Sequence, residues 1–157
     1  MADPEPDPGS GTVMCHNDVC LENIVFRDDR AIGLVDFDYA APGRAVYDLA
    51  QFAKMCVPLD RPERITRLGW IEPDQPGRLR IIADAYGLSG HDRLGFLAAI
   101  DDAMAAGAVF VERHLVAGET GFVKMVERSG GLGRWEDQRR WWRDHLLRFQ
   151  AALSTST

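Results

Sequence analysis

Close to Val46 the hydrophobic pattern of the chain changes period. Upstream, residues 23–27 (NIVFR) and 31–37 (AIGLVDF) are short β-like runs on either side of a polar turn, Asp28-Asp29-Arg30, which is the pattern of a hairpin. Downstream, Val46, Leu49, Ala50, Ala53, Cys56 and Val57 recur at helical spacing until Pro58 closes the run. Strand patterning does not return. The spacing predicts a loop over 73–77, then a helix over 78–86 closed by Gly87. A long helix follows, capped by Ser89 or Asp92 and ended by Gly118, then a short one over 121–128 and a last one over 134–153. Ala41-Pro42-Gly43 reads as a break between the two regimes. Such a chain has no material for a large sheet. The expected class is α+β and mostly helical, a short β-hairpin followed by a helical bundle.

At 157 residues, with 46% apolar and 27% charged residues, the chain suits one globular domain with an ordinary core. Residues 1–11, rich in Pro, Gly and Asp, read as a disordered tail, residues 12–153 as the domain and 154–157 as a second short tail. No 18 consecutive residues are apolar, and no basic start precedes an apolar stretch, so neither a membrane span nor a secretory signal is expected. Cys15, Cys20 and Cys56 read as free thiols, which points to the cytoplasm. A net charge of −6 argues against a nucleic-acid partner. The charge is uneven: residues 1–50 hold three Arg and ten acids, residues 124–157 seven basic residues and four acids. The acidic front suits divalent cations or a solvated surface. Arg134 to Arg148 reads as a solvated helix face, and Trp135, Trp141 and Trp142 as packing residues.

The chemistry is concentrated in Cys15-His16-Asn17-Asp18-Val19-Cys20-Leu21-Glu22-Asn23, which contains His-x-Asp-x-x-x-x-Asn. Asp36 follows thirteen residues later in Leu34-Val35-Asp36-Phe37-Asp38, where an acid ending an apolar strand is costly unless paired or bound to a cation. If the two strands pair, Asp18, Asn23 and Asp36 share one edge. Asp18 can then accept a proton from a substrate hydroxyl, while Asn23 and Asp36 offer hard oxygen ligands to Mg²⁺ on a nucleotide phosphate.

These residues resemble the C-terminal lobe of the aminoglycoside phosphotransferase and choline kinase-like enzymes, a protein kinase-like fold. The matching residues are His16-Asn17-Asp18, Asn23, Val35-Asp36-Phe37, Ala41-Pro42-Gly43 and Tyr47-Asp48-Leu49-Ala50. The resemblance implies Asp18 as catalytic base, Asn23 and Asp36 as metal ligands, and Val25 and Val35 as the floor beneath the adenine. It also implies His16 and Asp48 as structural supports of the catalytic loop. ATP and Mg²⁺ are the implied cofactors, bound weakly or not at all by the isolated chain. Only 17 residues precede Asp18, and the family's N-terminal lobe, with its phosphate loop and Lys, cannot be placed in them. Arg44 or the basic C-terminal helix is a speculative substitute for that charge.

The expected function is ATP-dependent phosphotransfer to a hydroxyl of a small molecule, such as an aminoglycoside, another sugar or an amino alcohol, with a C-lobe inactive alone. The alternative is a non-catalytic kinase-like module that self-associates. A homodimer or a missing N-lobe is the expected partner, because Val25, Phe26 and Val35 would otherwise present an apolar face.

Overall fold

A computed structural model describes residues 7–71 and 73–154. Two small antiparallel sheets precede a set of packed helices. Strands β1 (Val13–Cys15) and β4 (Ala41–Gly43) form one sheet, with Met14 opposite Pro42. Strands β2 (Ile24–Arg27) and β3 (Arg30–Leu34) form the other, the expected hairpin. Asp28 and Asp29 both take positive φ, 48° and 58°, in the two-residue turn between them, the primed turn whose twist suits a hairpin.

In the N-terminal part the structure departs from three sequence expectations. Residues 41–43 are strand β4 and not a break, because a two-stranded sheet consists of edges, and an edge tolerates Pro42. The second hairpin strand ends at Leu34, so Asp36 follows the strand in an exposed segment. The desolvation argument for Asp36 therefore fails, and β3 itself is exposed along its length. A tail running to Gly11 also fails from Asp7 onward, since Asp7 is buried and bonded to Arg44. The earlier part of that tail, and residues 155–157 of the second, lie outside the described residues, whereas Ser154 belongs to the last helix.

Helix α1 (Ala45–Cys56) turns Tyr47, Ala50 and Ala53 inward against α4 (Gly90–Val116), which supplies Phe96, Ile100 and Ala103 to the same core. α4 is long and apolar enough to cross a membrane by length and composition, a property that a search for unbroken apolar runs misses. Its buried face accounts for that composition. α2 (Pro62–Arg67) is followed by α3 (Gln75–Tyr86), which begins inside the predicted loop. Asp74 caps α3 by accepting from Gly77 N at 3.0 Å, and Pro76 suits the first turn, where no intrahelical donor is needed. Gly87 closes α3 at φ 79°, and Ser89 caps α4, both as expected. α5 (Thr120–Ser129) ends at Gly130.

The predicted last helix is two: α6 (Gly133–Asp144) and α7 (Leu146–Ser154). At the join His145 stacks on Trp141 and bonds the Trp141 carbonyl through its ring Nδ1 at 2.8 Å, a side-chain bond to a C-terminal carbonyl of α6. The break lets α7 pack on α3 as well as on α4. Trp142 and Phe149 are fully buried in the core, as expected of packing aromatics.

Candidate active site

The segment after β1 is held from below by α1. Both carboxylate oxygens of Asp48 accept backbone N–H bonds from that segment, Oδ2 from His16 at 3.0 Å and Oδ1 from Asn17 at 2.9 Å. These are charge-assisted bonds, and they fix the chain direction entering Asp18. Asn17 takes a left-handed φ of 62°, a conformation that Asn tolerates better than most side chains, and donates Nδ2 to the Tyr39 carbonyl at 3.1 Å.

His16 is buried and bonded on both ring nitrogens. The Asp18 N–H donates to Nδ1 at 3.3 Å, so Nδ1 is the acceptor and Nε2 carries the proton that reaches the Val35 carbonyl at 3.0 Å. Its ring also meets Phe37 at 4.4 Å. His16 thereby ties the Asp18 loop to the segment that carries Asp36.

Asn23 ends a single 3-10 turn (Leu21–Asn23) and is buried. Its Nδ2 donates to the Asp18 carbonyl and to Asp18 Oδ2, both at 2.9 Å. Two oxygen partners decide the amide orientation: the nitrogen faces Asp18, and Oδ1 is left for another ligand. The Asn23 carbonyl accepts from Val35 N at 3.0 Å, which extends the hairpin ladder by one bond and brings Asp36 alongside. Asp36 is exposed, with φ 64°, and close enough for its charge to act on Asp18. The structure thus brings Asp18, Asn23 and Asp36 to one edge, with His16 and Asp48 behind them. Val25 and Val35 lie on the open face of the hairpin, 39% and 47% exposed.

Burial raises the pKa of Asp18, and Asp36 adds to the rise; the Asn23 bond and Lys54 act in the opposite direction. Oδ1 of Asp18 has no hydrogen-bond partner among the described residues. Among the described residues no three His, Cys, Asp or Glu side chains form a metal cluster. The donor set is instead one amide oxygen and one carboxylate. That set suits Mg²⁺, which keeps several waters and takes few protein ligands when phosphate oxygens complete its shell.

Asp18 opens onto a cleft of about 390 Å³ between α1, α4, α5 and α6. Its walls include Phe110, Phe122 and Trp135, with Met55, Met104 and Met125. Phe110 meets Tyr39 edge-on at 5.5 Å, and the Tyr39 carbonyl in turn accepts from Asn17. Asn17 lines the same cleft at 9% exposure, and its Oδ1 is buried without a partner among the described residues. Asn17, Gln51, Lys54 and Trp135 were not assigned to the site from the sequence. A signal for two of them was present: Tyr47, Gln51 and Lys54 follow one face of α1, and two of the three are polar where the helix meets the core. The suggested use of Arg44 for phosphate fails, because its guanidinium is engaged by Asp7 at 2.7 Å and Asp102 at 3.1 Å. The solvated-face reading of the last Arg-rich segment fails for Arg139, which joins Asp101 at 2.8 Å, and for Arg134, which lines the cleft.

A family model described as the phosphotransferase enzyme family matches residues 2–97, and the chain belongs to that family. The match takes in both sheets, α1, α2, α3 and the beginning of α4, with every residue of the Asp18 edge. No curated protein and no solved structure matches the chain.

Proposed function

We propose that the chain forms the acceptor-binding and catalytic part of a phosphotransferase that moves the γ-phosphate of ATP to a hydroxyl of a small molecule. The observation that carries this reading is the state of Asp18. One carboxylate oxygen is held by Asn23, the other is open, and the residue stands at the mouth of a cleft large enough for a small molecule. The Asp18 Oδ1 accepts the hydroxyl proton as the oxygen attacks the γ-phosphorus and the bond to the bridging oxygen breaks, releasing ADP; its raised pKa makes it a stronger base than an ordinary carboxylate. Asp48 and His16 keep the loop from shifting as the proton moves.

Phosphotransferases of this family generally use ATP and Mg²⁺. Asn23 Oδ1 and the Asp36 carboxylate would hold the ion, which supplies charge neutralisation to the phosphate oxygens when bound. Val25 and Val35 offer an apolar surface for the base of the nucleotide. The lobe that clamps the nucleotide in this family would lie over the same face.

The test joins residues 1–157 to a nucleotide-clamping lobe and measures phosphate transfer from ATP to a panel of alcohols. Asp18→Asn is expected to lower kcat by about 10²–10⁴-fold with little change in ATP affinity. Asp36→Asn is expected to weaken Mg²⁺-ATP binding as well as turnover. Near-normal kcat in Asp18→Asn would rule out the catalytic-loop reading.

A second reading, a self-associating binding module, is favoured by one observation: Phe26, Ile32 and Phe37 stand exposed on and beside the hairpin that carries Val25. Sedimentation of the chain at high micromolar concentration tests it, a monomer counting against it.

A further inference from the structure

The walls of the acceptor cleft carry information that the catalytic edge does not. Asp18 is the one carboxylate lining the cleft among the described residues. A polycationic aminosugar needs several acidic partners there, and the expectation of an aminoglycoside finds no support in this lining. The opposite charge is present. Arg134, in the first turn of α6, is half-buried and lies 5.1 Å over the ring of Trp135. Among the described residues its guanidinium has no carboxylate within ion-pair distance. Burial lowers its pKa, Arg64 acts in the same direction and Asp60 against it. An arginine keeps its charge regardless, so this one is a partly desolvated cation that no carboxylate contacts among the described residues, with Asp60 acting on it from farther away.

Arg134 and Met125 also line a second hollow of about 590 Å³. Arg64, Arg67, Lys124 and Arg128 line it too, and no acid does. Arg64 is answered by Asp60 at 3.1 Å, whereas no carboxylate lies within ion-pair distance of Arg134, Lys124 or Arg128 among the described residues. The two hollows therefore meet at a cationic corner, with aromatic and thioether walls between that corner and Asp18. Arg134, Lys124 and Arg128 lie beyond residue 97, outside the family match, so this corner belongs to the part of the chain that the family model does not describe.

We propose that the alcohol accepted in this cleft is an anion, with an apolar or aromatic body and an oxyanion group, carboxylate or phosphate, at the end away from its hydroxyl. Arg134 takes the oxyanion, the Phe110, Phe122 and Trp135 wall takes the body, and the hydroxyl reaches Asp18. The hydroxyl end of this assignment rests on the phosphotransferase reading; the anionic end rests on Arg134 and its neighbours.

The experiment titrates the whole chain, without nucleotide, and follows tryptophan fluorescence, since Trp135 lines the cleft. The probes are ω-hydroxyalkanoates of six to ten carbons, the matching ω-hydroxyalkyl phosphates, diols and ω-amino alcohols. At least one anionic series is expected to bind about tenfold more tightly than the diols, with the amino alcohols weakest. Which series prevails, carboxylate or phosphate, identifies the oxyanion. In Arg134→Met the preference is expected to fall to within about twofold while diol affinity is kept. Diols or amino alcohols binding as tightly as both anions would overturn the proposal, and so would a preference that survives Arg134→Met. If Arg134→Met does not fold, Arg134→Gln replaces it; a preference that survives that variant also overturns the proposal. Anion-selective binding without phosphorylation, once the chain is joined to a nucleotide-clamping lobe, removes the phosphotransferase reading and leaves the selectivity standing. Phosphorylation of neutral or cationic alcohols with no anion preference does the reverse.

Discussion

Burial lifts the pKa of Asp18 above the ordinary 3.8, against the pull of the Asn23 hydrogen bond and Lys54. An acid whose folded pKa is raised supports the fold fully below its unfolded pKa and loses that support as pH rises through the folded value. Asp18→Asn is therefore expected to raise Tm at pH 7 and to show a shrinking advantage below about pH 4. Calorimetry at both pH values checks this; a lower Tm at pH 7 would show that the charge is well satisfied. Substitution at Asp48 is expected to weaken the fold, for a reason of hydrogen bonding. Asn at this position sets an N–H against one of the two loop donors now bonded by the carboxylate. Asp48→Asn is expected to cost about 2–3 kcal/mol in urea unfolding, the range for losing charge-assisted bonds. The spacing of His16, Asp18 and Asn23 was legible in the sequence because it follows the chain. Asn17 was not, because its part depends on a left-handed backbone and a buried carbonyl oxygen that spacing does not encode.

Among the elements, the helices were most legible where a cap and a period agreed, as at Ser89 and Gly87. They were least legible where tertiary contacts intervene. Nothing in the period of residues 134–153 marks His145, whose ring finds Trp141 one turn earlier and ends α6. β4 was missed because a three-residue edge strand containing proline has no strand pattern of its own and exists through β1. The tie between α4 and α6 gives a prediction at this scale. Burial works to raise the pKa of Asp101, and hydrogen bonds from Arg143 and Arg139 overcome it, so the carboxyl is held at about 2. A depressed pKa contributes stability above the unfolded value, near 3.8, that is lost as pH falls through about 2. Because Arg143 is more than half exposed, screening reduces the contribution to about 1–2 kcal/mol. Asp101→Asn should lose about that much at pH 7 and little at pH 2, as read from denaturant midpoints.

Across the whole molecule the two ends of the chain carry opposite charge, which composition already showed. Composition did not show that the basic end meets the far wall of the cleft onto which Asp18 of the acidic end opens, because that requires α6 to fold back beside α1 and α4. Helix α1 also sets a clock inside the loop that carries Asp18. The amides of His16 and Asn17 belong to no helix, yet their hydrogens are held by a carboxylate on α1, whose Tyr47 and Ala50 are fully buried. In deuterated solvent these two hydrogens can exchange only when the loop parts from that helix. They are expected to exchange at rates approaching those of α1 interior amides, and far more slowly than the neighbouring Val19 amide. Rates for His16 and Asn17 as fast as that of Val19 would show a loop that breathes independently of its support. Slow exchange would mean that the loop is already set before any ligand arrives, so the time needed to assemble the site falls on the ligands.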